Sequence, residues 1–159
     1  MVVLALVDHY GFYHLAGHSV AVFLPALGAT CTVIYAVPKA PIAQPRCVIF
    51  SHVSAAVIGT ALTHAFRSVS HPPQPFGSHC AGALGVAIHL ALMIVTNTLH
   101  PPASATVISA AVQTLNAYYQ DGGFLFVVTP CLLGPLIVVV MAIVLNNLVP
   151  SRSPYPQFW

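Results

Sequence analysis

Long uncharged runs alternate along the chain with short polar or proline-rich interruptions. "VIFSHVSAAVIGTALTHAF" (48–66) ends at Arg67, "AGALGVAIHLALMIVTNTL" (81–99) follows a Pro- and Ser-rich stretch at 68–78, and 124–148 follows the turn-like "YYQDGGF". Each has about the 20 apolar residues that cross a bilayer as a helix. Two further apolar segments are short or broken. Val20 to Val37 is interrupted by Pro25 and Gly28, and Ala103 to Leu115 directly follows Pro101 and Pro102. Pro130 and Pro135 predict a kink in the last span. The pattern predicts an all-α, polytopic transmembrane helix bundle with two short broken or re-entrant segments, forming a single membrane domain over 1–159. The stretch 68–78 is its polar loop and 150–159 an interfacial tail rich in aromatic residues. Met1 to Val7 is apolar but too short to span, so the first helix is expected to be truncated, or the start is not native.

Each short segment precedes a full span, and the two look alike. "GATCTVIYA" (28–36) and "SATVISAA" (104–111) both set a small residue, Ala and Thr ahead of a Val-Ile pair. Short or Gly/Pro-interrupted segments at corresponding positions of two halves mark transporter sites built on inverted repeats. The expected halves are 1–67 and 79–149. A chance resemblance between small-residue helices is the plainer account.

Composition supports the membrane reading. Of the 159 residues 58% are hydrophobic and 4% charged, with a mean hydropathy of +0.89, against about 25% charged in soluble domains. No Asp, Glu, Lys or Arg occurs from Ser68 to Gln120. The net charge of +2 is too small to suggest a nucleic-acid partner. Cys31, Cys47, Cys80 and Cys131 lie scattered in apolar segments and read as packed hydrophobes. If both short segments cross, Lys39, Arg46, His100 and Arg152 fall on one side and Asp8, Arg67 and Asp121 on the other, a cation bias that assigns the first side to the cytoplasm.

His-Pro-Pro occurs twice, at 71–73 and 100–102. Proline at the first helical position sacrifices no hydrogen bond, so Pro101 and Pro102 are expected to open a helix near Ala103. Its first amides, at Ala103, Ser104 and Ala105, would then face a small anion, with His100 and Thr106 as side-chain donors and His100 also as a pH switch. A tight turn between spans is the simpler account. The segment opening near Gly28, with Ala29 and Thr30, is expected to aim its amides at the same site. Arg46, beside Gln44 and Pro45, can pair with a planar anion through two parallel bonds or anchor to lipid headgroups. His52 lies inside a span, where a titratable side chain needs a partner. His89 and Asn97, eight residues apart on one predicted span, read as polar packing between helices. His14 and His18 sit four apart, but with only Asp8 nearby no metal site is expected. No acidic residue occupies a predicted span, which disfavours a cation carrier or a carboxylate proton relay. Neither a cofactor nor a nucleophile–base pair is evident, so no enzyme is expected.

"TLHPPASAT" resembles the signature of the HPP family of integral membrane proteins. "LGATCTVIYAVPKAPIAQPRCVIFSH" is similar to that family's Gly-Ala-Ser, Leu-Ala-Gln-Pro-Arg and Gly-His block, and "YPQFW" to its terminal Tyr-Pro-x-x-Trp. Thr30, Ile42, Ser51 and Ser104 depart from the usual Ser, Leu, Gly and Gly, exchanges that bear on substrate detail more than on fold. The resemblance implies four membrane helices and, from plant and cyanobacterial members, nitrite transport. It also selects His100 over His71, whose copy lacks the matching flank. The expectation is a small-anion transporter or channel, one pseudo-symmetric bundle or a homo-oligomer. Its predicted site combines His100, Pro101, Pro102, Ala103, Ser104 and Thr106 with Gly28, Ala29, Thr30, Gln44, Arg46 and His52. The alternative is a non-transporting membrane scaffold or assembly subunit. Plastid, plasma and bacterial inner membranes all remain open.

Overall fold

The computed structural model describes residues 1–12, 24–67, 76–113, 123, 125–152 and 154–159. Among these residues every regular element is helical. A short α1 (Val2–Leu6) continues into a π-helical stretch, Val7–Phe12. Then follow α2 (Pro25–Ala36), α3 (Pro45–Arg67), α4 (Phe76–Val95) and α5 (Ala103–Gln113). The last helix, α6, runs from Leu125 to Leu148 in three stretches, with a π-helical segment at Thr129–Leu133 between two α-helical ones. Among the described residues three helices are long and apolar enough to cross a membrane: Pro45–Phe66, Gly77–Val95 and Leu125–Leu148. With a rise of 1.5 Å per residue, α2 and α5 as described reach about 18 and 16 Å, well short of a hydrocarbon core of about 30 Å.

Prolines and one asparagine set these boundaries. Pro25 occupies the first turn of α2 behind an extended Leu24, so α2 starts three residues before Gly28, and Gly28 lies within its helix. Pro45 opens α3, three residues before the expected Val48. α4 runs from Phe76 rather than Ala81 and stops at Val95 rather than Leu99. The cause of the stop is Asn97, at φ 53°. Its amide reaches the Ile94 carbonyl at 3.2 Å while the Thr98 amide reaches that of Met93 at 2.9 Å, a Schellman closure with Asn in the left-handed position. Asn97 therefore caps α4 and does not share a helical face with His89. In α6, Pro130 lacks the amide an α-helix requires, and its ring crowds the preceding turn. Widening to a π-turn relieves both, which gives the expected kink its local cause.

α3, α4 and α5 pack most closely on one another, while the main cluster of buried apolar side chains joins α1, α2, α3 and α6, from Leu4, Leu27 and Ile34 to Phe126 and Val138. Small residues permit the approach. A Cβ on Gly59 would lie 2.7 Å from both Ala110 Cβ and the Val107 carbonyl oxygen, so α3 and α5 touch backbone to backbone.

Hydrogen bonds gather three connecting segments at one end. His100 Nδ1 lies 2.7 Å from the Ile42 carbonyl, Arg46 donates to the Thr96 carbonyl at 3.4 Å, and Tyr155 donates from its hydroxyl to the Ala43 carbonyl at 2.8 Å. Asn147 clasps the Tyr155 backbone at both N and O (3.0 and 2.6 Å), and Arg152 reaches Asn146 and the Tyr35 carbonyl. Segments 37–44, 96–102 and 149–159 thus share one end, which collects Lys39, Arg46 and Arg152.

Candidate functional site

One imidazole is held by both short helices. His52, on α3 about 10 Å along the axis from Pro45, has Thr30 Oγ1 of α2 at 2.8 Å from Nε2 and Thr106 Oγ1 of α5 at 2.8 Å from Nδ1. Thr30 and Thr106 are the third residues of the matched Gly-Ala-Thr and Ser-Ala-Thr triplets. Thr30 Oγ1 also lies 3.0 Å from His100 Nε2, and the His52 and His100 rings are 5.4 Å apart between centroids. All four residues are buried.

With both rings neutral, the protons in this cluster have one consistent arrangement. A carbonyl oxygen only accepts, so the Ile42 carbonyl requires N–H at His100 Nδ1. In neutral His100, Nε2 is then an acceptor and takes the Thr30 hydroxyl proton. The Thr30 oxygen accepts in turn from His52 Nε2–H, and His52 Nδ1 accepts from Thr106. The direction of the whole chain follows from its last acceptor. Nitrogen-15 spectra of labelled protein should therefore show His100 as the Nδ1–H tautomer and His52 as Nε2–H at neutral pH. The opposite pair would overturn the assignment.

His100 sits on the connector between α4 and α5, outside the helices. Burial pushes its imidazole down to about 4, against a smaller opposing effect of the Ile42 carbonyl. The ring is thus a neutral donor near physiological pH, and the expectation of a pH switch at His100 is corrected: among the described residues no acidic side chain acts on it to offset the desolvation of a charge.

The amides expected to face a ligand are occupied. Ala103 N reaches the His100 carbonyl at 3.0 Å, Ser104 N that of Pro101 at 3.0 Å, and Ala105 N that of Pro102 at 3.2 Å. The two prolines bend the chain so tightly that its own carbonyls fill the first turn of α5. On α2, Gly28 and Ala29 lie beyond the first residues of the helix, and Ala29 is exposed. The two short helices therefore meet through threonine side chains, not through converging amide ends.

The remaining predicted residues divide. Ala103 is buried at the start of α5, Pro102 and Ser104 are half-buried, and Pro101 is exposed. Gln44 is buried but turned to the connector and tail: its Nε2 donates to the Pro38 and Ala40 carbonyls, and its Oε1 accepts from the Gln157 amide at 2.9 Å. Arg46 is exposed in the first turn of α3. His14, His18, His71 and Asp121 lie outside the described residues. Among the described residues no group of three His, Cys, Asp or Glu side chains is placed to hold a metal ion. The Ile42 carbonyl escaped sequence reasoning because a backbone acceptor carries no residue-type signal.

A family model described as "HPP, transmembrane region" matches residues 1–156. A transmembrane protein of Dictyostelium discoideum is 36% identical over 138 residues, covering 87% of this chain and 45% of that protein. A second from the same organism is 29% identical over 136 residues, 86% of this chain and 41% of its own length. The chain thus spans less than half the length of these relatives. No solved structure matches.

Proposed function

The chain belongs to the HPP family of transmembrane proteins, and on that premise we propose that it is a transporter or channel for a small anion, with nitrite as the substrate. The reading rests on one observation: a neutral, buried donor–acceptor chain, Thr106–His52–Thr30–His100–Ile42, joins both short helices to the His-Pro-Pro turn. Neutral hydroxyl and imidazole donors suit a small anion that must leave again, since fixed opposite charges would trap it. Lys39, Arg46 and Arg152 at the adjoining end raise the local anion concentration. No Asp or Glu lies on α2 to α6 as described to repel an anion.

The alternative, a non-transporting scaffold, draws support from the same cluster: each nitrogen of His52 and His100 already has a partner, as a purely structural clasp requires. Purified protein in liposomes separates the two. Saturable nitrite uptake above that of protein-free vesicles is expected; uptake no faster than in those vesicles would sink the transport reading and leave the clasp.

A further inference from the structure

Among the described residues His89 differs from the other buried histidines. It lies about two-thirds of the way along α4, is fully buried, and has no hydrogen-bond partner on either Nδ1 or Nε2. The Ser51 carbonyl of α3 lies beside the ring without completing a hydrogen bond, and His52 is within electrostatic reach. On its own helix His89 shares one buried stripe with Ser78, Gly82 and Gly85, and the Ser78 hydroxyl is likewise unpartnered.

A buried polar group left without partners costs about 1–3 kcal/mol, and structures rarely keep one that does nothing. Protonating His52 or His100 would force the Thr106 or Thr30 hydroxyl to turn its proton away from the ring, that of Thr30 toward the Ala26 carbonyl. His89 breaks nothing on protonation. Its surroundings are otherwise poor in charge. From α3 the titratable neighbour is His52, with Arg46 and Cys47 nearer the connector end and His64 toward the other. α5 contributes no titratable side chain. His100, on the connector, acts on His52, and on α4 itself His79 and Cys80 lie about 15 Å along the axis from His89.

We propose that His89 is the proton-carrying residue of anion transport, so that one proton moves with each anion. The inference rests on the transport reading and names its coupling ion. An isolated anion in an uncharged intramembrane site is costly, and so is an isolated imidazolium; together they form a neutral pair with charge-assisted hydrogen bonds. The proton leaves water on the entry side, binds an imidazole nitrogen of His89, and returns to water with the anion on the exit side. Charge and atoms balance: one anion and one proton cross, and no net charge moves.

Vesicles holding the protein and an internal pH indicator test this with an inward nitrite gradient, after subtracting protein-free vesicles to remove undissociated acid that crosses lipid by itself. Protein-dependent nitrite entry should bring an equal number of protons and should not respond to an imposed membrane potential. His89→Gln, which keeps a polar amide but cannot carry the proton, should lower coupled uptake at least tenfold. Wild-type nitrite entry without protons would overturn the proposal while leaving transport intact, and this measurement does not depend on the variant folding. Full coupling in a folded His89→Gln protein would overturn it as well. Absence of any protein-dependent nitrite entry would remove the transport reading and the coupling with it.

Discussion

Gly59→Leu is expected to leave no correctly packed bundle. A single Cβ at position 59 already falls 2.7 Å from the Val107 carbonyl oxygen and from Ala110 Cβ, and 3.3 Å from Val107 Cα. These neighbours are backbone and a methyl fixed directly to it, so no rotamer change makes room; α3 and α5 must separate. That separation would pull Thr106 from His52, since both lie on the same helix pair. Overpacking typically costs about 1–3 kcal/mol, the range expected for Gly59→Ala, and leucine should exceed it. Gly85→Ala should be milder, because the Val107 methyl at 2.7 Å and the Leu62 methyl at 3.3 Å belong to side chains that can shift. Gly28→Ala meets nothing within 4 Å and should gain up to about 1 kcal/mol from helix propensity. Thermal unfolding in detergent, followed by circular dichroism and size-exclusion profile, ranks the series. Gly59→Ala as stable as wild type would show that α3 and α5 do not make this contact.

His100→Ala should depress nitrite flux roughly ten- to a hundredfold, the range implied by leaving buried groups such as the Ile42 carbonyl unpaired at about 1–3 kcal/mol. The loss should spread, since Thr30 then no longer donates to a fixed acceptor and the orientation of His52 loses its cause. Thr30 has the Ala26 carbonyl as a competing acceptor at 3.1 Å, so its hydroxyl would turn there. His71→Ala should leave flux near wild type, because its Pro-rich flank matches nothing in the His-Pro-Pro signature. Both proteins must first show wild-type elution and unfolding profiles. Equal flux in the two variants would reduce the second His-Pro-Pro to a way of turning the chain into α5.

Much of the fold is legible in the sequence because bilayer physics is local. An uncharged stretch of sufficient length must satisfy its backbone internally, so α3, α4 and α6 follow from hydropathy and length alone. The start of α5 at Ala103 follows from Pro101 and Pro102, and the kink in α6 from Pro130. Boundaries set by a cap were harder: Asn97 reads as one more polar residue of a span until its left-handed backbone is seen to close the helix. At the site, residue type singled out His52, His100, Thr30 and Thr106. Their mutual arrangement is a property of tertiary packing alone. Thr30 and Thr106 are 76 positions apart in the chain, and only the crossing of α2 and α5 over α3 brings them to opposite nitrogens of one ring. The same packing decided that the α5 amides turn inward to the His-Pro-Pro carbonyls, and that His89 keeps both nitrogens unpartnered. Sequence determined which groups enter the membrane, since transfer from water depends on each residue by itself; tertiary structure decided which of them are satisfied there, since a hydrogen bond depends on distance and direction between two.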